Sequence, residues 1–209
     1  MKNTIWLILS VFAPVSLWGQ ERKLNDHPGG EFYGYPSVQL LACQIDGDNS
    51  SGYNKFGYQV DFVAGIGLGN NTTMDYSIGI SRRGSRRSSD PNDVSVTPFN
   101  LSINYLDIGM YFGKVYNEDI HLKLGFRLLK MLSASDDDGY ILNPEQNLNP
   151  LQMLGDAQFF YQCTNQFGIK GSFQYSLFSI AASSSTQYNW MNSGAALHNN
   201  IGLGVYFSF

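Results

Sequence analysis

The chain has 209 residues, the size of one ordinary domain, with a formal net charge of −4 and only 14% charged residues. So mild a balance argues against a nucleic-acid partner. Aromatic residues reach 14% and glycines number 22, a mixture that fits a β-rich protein better than a helical one.

Residues 1–19 read as a cleavable signal peptide. Lys2 supplies the positive charge, the stretch from Ile5 to Trp18 is largely apolar, and small Gly19 directly precedes the polar Gln20, Glu21, Arg22 and Lys23. Leu17 is not an ideal residue two places before that cut. Neither cysteine lies near the segment, so a lipoprotein anchor is not expected. Residues 20–35 then form a short polar tail, expected in the periplasm. Nothing after the leader approaches the roughly 20 apolar residues of a transmembrane helix, so any membrane insertion must use strands.

Residues 36–209 repeat one theme, segments of about ten residues in which apolar side chains alternate with polar or tiny ones, the period of a strand. Eight such segments are predicted, at 37–46, 55–68, 73–83, 99–113, 119–133, 151–163, 167–181 and 197–209. In the third, Met74, Tyr76, Ile78 and Ile80 oppose Asp75, Ser77, Gly79 and Ser81. In the fifth, Ile120, Leu122, Leu124, Phe126 and Leu128 oppose His121, Lys123, Gly125 and Arg127. In the eighth, Ile201, Leu203, Val205, Phe207 and Phe209 oppose Asn200, Gly202, Gly204, Tyr206 and Ser208. Leu41 and Phe160 fall on the polar face of their strands. Pro28, Pro36, Pro91, Pro98, Pro144 and Pro150 all fall between segments, where no ladder bond is lost.

The connections alternate in length, with tight ones at 69–72, 114–118 and 164–166 and longer ones at 47–54, 84–98, 134–150 and 182–196. Short periplasmic turns and longer outside loops are the pattern of an outer-membrane up-and-down barrel. The expected fold is therefore all-β, an eight-stranded antiparallel transmembrane barrel with extracellular long loops and both termini periplasmic. A soluble lipocalin-like ligand-binding barrel has the same period with its faces inverted. Three features favour lipid outside. Gly57, Gly65, Gly67, Ser77, Gly79, Gly125, Ser172, Gly202 and Gly204 crowd the polar face, as a narrow lumen requires. Phe56, Tyr58, Tyr111, Phe112, Phe167 and Phe207 gather towards strand ends, where interfacial girdles belong. The last strand ends on Phe209.

A terminal strand ending in Phe209 resembles the signal by which the outer-membrane assembly machinery recognises its substrates. The wider pattern resembles the PorT-like outer-membrane β-barrel family of the Bacteroidetes. The carriers are Asn104-Tyr105-Leu106-Asp107-Ile108, a Gly-rich second strand, Leu124-Gly125-Phe126 and Gly202-Leu203-Gly204-Val205-Tyr206-Phe207. The family usually continues the first of these motifs with Pro, where this chain has Gly109. The resemblance spans about residues 36 to 209. It implies an envelope protein, in some relatives an accessory to secretion or gliding machinery, and transfers no activity.

With the apolar face outside, the lumen receives Asp61, Asp107, His121, Lys123, Arg127, Asp156 and Lys170. An eight-stranded barrel is just wide enough for side chains to fill it, so these charges are expected to pair as an internal salt-bridge network. A polar conduit or small-ligand site is the functional alternative. Arg82, Arg83, Arg86 and Arg87 form a basic patch at the outer end of the third strand. Guanidinium groups suit the phosphates of lipopolysaccharide; a solvated loop rim is the structural alternative. Asp136, Asp137 and Asp138 lack the spacing of a calcium loop, and a solvated loop tip is expected. Cys43 and Cys163 fall at opposite ends of the barrel, too far apart for a disulfide, and two free thiols are expected.

A lipid-modifying acyl hydrolase or transferase would need a nucleophile beside a base. His198-Asn199-Asn200 is not a His-x-Ser pattern, no Gly-x-Ser-x-Gly elbow occurs, and His27, His121 and His198 lack metal-ligand spacing. The expectation is a non-enzymatic outer-membrane barrel without cofactor or metal. Its partners would be outer-membrane lipid, lipopolysaccharide, the assembly machinery and possible larger envelope complexes.

Overall fold

The computed structural model describes residues 29–48, 52–88, 98–117, 119–139, 144–181 and 196–208. The expected signal peptide and Phe209 lie outside the described residues. Eight antiparallel strands run in chain order and close on themselves as an up-and-down barrel. They are β1 (Phe32–Asp46), β2 (Lys55–Gly69), β3 (Thr72–Arg87), β4 (Phe99–Val115), β5 (Ile120–Asp136), β6 (Leu151–Gln162), β7 (Phe167–Ser176) and β8 (Leu197–Phe207). The seam is the β1–β8 ladder, from Ser37 opposite Tyr206 to Asp46 opposite Leu197. Closure leaves no unpaired edge.

The alternation places each face. Ile78 and Ile80 of β3, Leu124 and Phe126 of β5, and Leu203 and Phe207 of β8 are exposed on the outer wall. Their neighbours Ser77, Ser81, Lys123, Arg127, Asn200 and Tyr206 are buried inside. A soluble barrel with an apolar interior and wet exterior is thereby excluded. Moving each outward Leu or Phe from water into hydrocarbon is worth about 1.5–3 kcal/mol, so this wall calls for lipid. Among the described residues no helix is long and apolar enough to cross a membrane.

Turn chemistry sets the short end. Asn70 and Asn71, with φ of 51° and 58°, occupy the centre of the β2–β3 hairpin. Positive φ at both central residues is what a type I′ turn demands, and its twist matches the flanking strands. Both barrel termini lie at this short-turn end, where the Ser208 amide donates to the Gln166 carbonyl of the β6–β7 turn at 3.0 Å.

The two largest departures from the expected strand bounds are at β1 and β7. β1 begins at Phe32, so residues 32–35 belong to the barrel rather than the tail, and Pro36 lies within a strand. Pro36 pairs with Phe62 of β2, but the β8 ladder starts only at Ser37. One flank of the proline therefore has no neighbouring strand, the setting in which a strand tolerates it. β7 ends at Ser176 instead of running to 181. The chain beyond it turns inward, the Ile180 amide donating to Ala196 O and the Asn149 amide to Ile180 O, both at 2.8 Å. A one-turn helix, α1 (Pro144–Asn147), precedes this contact.

The interior is layered. At the short-turn end Tyr33, Tyr35, Val63, Phe160 and Tyr206 form an aromatic plug. At the long-loop end a larger apolar cluster includes Ile45, Phe99, Leu101, Ile103 and Tyr105 from the wall. Leu148, Ile180, Ala181 and Ala196 of the connecting segments close over it. Leu41 and Phe160, on the polar face by sequence, are fully buried in this interior. Between the two plugs lie the charges.

Candidate functional site

The charged layer is assembled by the inward parity of the strands. β2 contributes Asp61, β3 Asp75 and Arg83, β4 Asp107, β5 Lys123 and Arg127, β6 Asp156 and β7 Lys170, all almost wholly buried. Four cations thus face four carboxylates, so the layer is neutral as a whole. Neutrality matters because an unpaired buried charge costs several kcal/mol.

Arg127 is the hub. Its Nη1 donates to Asp61 Oδ1 at 2.9 Å and its Nη2 to Asp61 Oδ2 at 3.2 Å. Nη1 also reaches Asp107 Oδ2 and Nε reaches Asp156 Oδ2, each at 3.4 Å. Bidentate guanidinium–carboxylate pairing is the strong form of this contact. Arg83 approaches Asp107 from the long-loop side at 3.4 Å, donating also to Gln59 Oε1 at 2.9 Å, Gln174 Oε1 at 2.5 Å and Ser81 Oγ at 3.0 Å. Lys170 reaches Asp61 Oδ2 at 3.4 Å. Lys123 forms a second centre nearer the short turns. It pairs with Asp75, donates to Tyr35 Oη at 2.9 Å, and lies 4.5 Å from the Phe160 ring centre. Aromatic faces attract a desolvated ammonium. Tyr33 also donates to Asp75.

Glycines make the room. A methyl at Gly65 would come within 2.4 Å of the Tyr33 ring and 2.6 Å of Asp75 Oδ1, and one at Gly168 within 2.3 Å of the Tyr206 ring.

All seven residues expected in the lumen are there, and six of them join the charge network. The seventh, His121, shares a 3.1 Å hydrogen bond with Thr73 Oγ1. Asp75 and Arg83 complete the layer. The β3 alternation already signals both, since two steps beyond Ser81 on the polar face lies Arg83. Tyr111, expected in an outer girdle, instead points inward and donates to Asp156 Oδ2 at 2.9 Å. Phe56, Tyr58, Phe112 and Phe207 do face outward.

The four-arginine patch is corrected by the same parity. Arg83 is fully buried in the lumen and cannot meet a lipid phosphate. Arg82 points outward, donating to Ser102 Oγ at 2.9 Å and lying 3.6 Å from Asp137. Arg87 stacks over Phe99 at 5.2 Å and donates to the Asp48 carbonyl. Arg86 is exposed. Four guanidinium groups therefore do not converge on one anion.

The Asp136–Asp138 run is likewise committed. Asp136 accepts the Asn100 amide at 2.7 Å, and Asp137 lies 3.8 Å from Lys55 as well as near Arg82. Among the described residues no group of three or more His, Cys, Asp or Glu side chains is placed to hold a metal. Cys43 and Cys163 are free, the first buried in the lumen and the second exposed at the β6–β7 turn. His198 hydrogen-bonds Tyr105 at 3.0 Å within the upper lumen.

No protein-family model matches the chain, and no curated protein does. Among solved structures, Neisserial surface protein A matches with a TM-score of 0.50 at 12% identity, over 85% of this chain and 97% of its own. Ail, the attachment invasion locus protein of Yersinia pestis, matches at 0.46 and 14% identity, over 87% and 99%. The outer membrane protein OprG from Pseudomonas aeruginosa matches at 0.46 and 10% identity, over 90% and 99%. The likeness to the neisserial protein is one of fold, a closed eight-stranded antiparallel barrel.

Proposed function

We propose that this chain is a non-enzymatic bacterial outer-membrane barrel with a filled lumen, structural in itself or accessory to a larger envelope or secretion complex. The observation that carries the reading is the neutral eight-residue charge layer sealed between two apolar plugs. Such an interior leaves lipid, loops and short turns as the surfaces for partners. The long loops face the cell exterior and both termini the periplasm, as the barrel pattern of short periplasmic turns requires. The resemblance to the PorT-like family supports the accessory role. What supports a non-enzymatic reading is the position of the described histidines: His121 and His198 are both fully buried in the lumen, away from any lipid substrate in the outer wall.

The test has two arms. The full chain should fractionate with outer membranes, show heat-modifiable gel mobility and stay at baseline conductance in a planar bilayer. Recovery in the soluble periplasm, or steady conductance steps, overturns the reading. Affinity purification from mildly solubilised membrane should then recover a stable envelope partner if the accessory role holds. Altered lipid A in a deletion strain would instead favour a lipid-modifying enzyme.

A further inference from the structure

The outer wall is not uniformly bulky. Along β6 the outward positions Gly155 and Ala157 are small, and the register sets each between large neighbours. Phe126 of β5 and Tyr175 of β7 flank Gly155, while Leu124 and Phe173 flank Ala157. One step towards the short turns, Gly171 of β7 lies beside Phe159. The outcome is a furrow with aromatic and aliphatic banks, one of them the stacked Phe173 and Tyr175 rings, 6.5 Å apart. Two contiguous depressions of about 610 and 420 Å³ make it up, sharing Phe112, Leu124, Ala157 and Phe173. Measured from Met110 of β4 to Tyr116 just past its end, it extends about 20 Å at the usual rise of a strand, close to the reach of one extended acyl chain.

Lys123 and Asp156 border the furrow with their side chains buried in the lumen, and the exposed charge along it is at the short-turn end. Lys114 and Tyr116 line the furrow there, both exposed. The Lys114 ammonium donates to the Asn70 carbonyl at 2.8 Å, which occupies one of its three donors. A cation beside a phenol at the end of an apolar furrow matches a phosphate headgroup above a hydrocarbon chain.

We propose that this furrow binds a glycerophospholipid of the leaflet at the short-turn end, one acyl chain lying along Gly155, Ala157 and Gly171 and the phosphate meeting Lys114. The proposal rests on the membrane placement given above. One chain fits because the floor is a single strand wide; a partner helix is too thick for it.

The experiment is native mass spectrometry of the full-length mature barrel released from nanodiscs of palmitoyl-oleoyl phosphatidylglycerol. The wild type should retain one lipid beyond the detergent-labile annulus. Gly171→Val and Ala157→Leu fill the furrow, and Gly171 has no atom within 4 Å of an added methyl, so folding should survive. Both should lose the retained lipid. Lys114→Gln should weaken retention, and Ala64→Leu on the opposite wall should leave it unchanged. Equal retention by wild type and the filled variants overturns the furrow, as does a wild type that binds no lipid or a dimer that the filled variants abolish. A wild type that inserts and shows heat-modifiable mobility yet retains no lipid overturns the furrow alone. Failure to insert overturns the membrane placement itself.

Discussion

Arg127 of β5 grips Asp61 of β2 through both of its terminal nitrogens, at 2.9 and 3.2 Å, between strands that are not neighbours in the sheet. The pair thus ties two walls of the barrel together through its middle. Asp107 and Asp156 share the same guanidinium at 3.4 Å; its loss would leave Asp61 to Lys170 and Asp107 to Arg83 but would strand the buried Asp156.

Arg127→Met should therefore destabilise the barrel by about 3–5 kcal/mol, the usual result of breaking a buried pair from one side. Urea unfolding in detergent, followed by intrinsic fluorescence or heat-modifiable mobility, reads this directly. Arg127→Met combined with Asp156→Asn should recover part of the loss, because Asp61 keeps Lys170 and Asp107 keeps Arg83 whereas Asp156 pairs with Arg127, so the second change removes the orphaned charge. A double variant no better than the single one would show that packing, not pairing, dominates the site.

The long-loop plug should open before the barrel does. Leu148→Ala removes a nearly buried side chain from the cluster that also holds Ile180 and Ala196, a change worth about 2–5 kcal/mol where the site cannot collapse. Hydrogen exchange at the Asn149 and Ile180 amides should accelerate while the β5 and β6 amides stay protected. Uniform acceleration throughout the strands would mean that the plug and barrel unfold as one unit.

Two glycines of β7 should respond oppositely. Gly168→Ala drives a methyl to within 2.3 Å of the Tyr206 ring, an overpacking that costs about 1–3 kcal/mol. Gly171→Ala meets nothing within 4 Å on the outer wall and should be neutral or slightly stabilising. Paired urea melts of the two variants settle the comparison.

The thiols report orientation. Exposed Cys163 at the β6–β7 turn should react with maleimide in the folded barrel, whereas buried Cys43 should react only after unfolding. In intact cells a membrane-impermeant maleimide should leave Cys163 unlabelled until the outer membrane is permeabilised. Immediate labelling in intact cells would place the short turns outside.

The lumen was legible wherever parity could be carried without a break. Lys123 and Arg127 follow from the β5 alternation, and Asp61, Asp107, Asp156 and Lys170 from their own strands. Arg83 was misplaced because a run of four arginines reads as one surface, although a strand sends neighbouring side chains to opposite faces. Tyr111 shows the other weakness: an aromatic near a strand end suits a girdle or a lumen equally, and only its hydrogen bond to Asp156 identifies which.

By itself, the sequence determined strand number, chain order, the short turns and the face that most side chains take. All of these depend on contacts between near neighbours and on a period of two. Only the tertiary structure decided who pairs with whom across the lumen. It also decided that Tyr33 and Tyr35 join the short-turn plug and that Leu148 and Ile180 seal the far mouth. Those contacts join residues far apart in the chain, and their geometry depends on barrel closure and on the inward fold of the connections, neither of which leaves a periodic trace in one dimension.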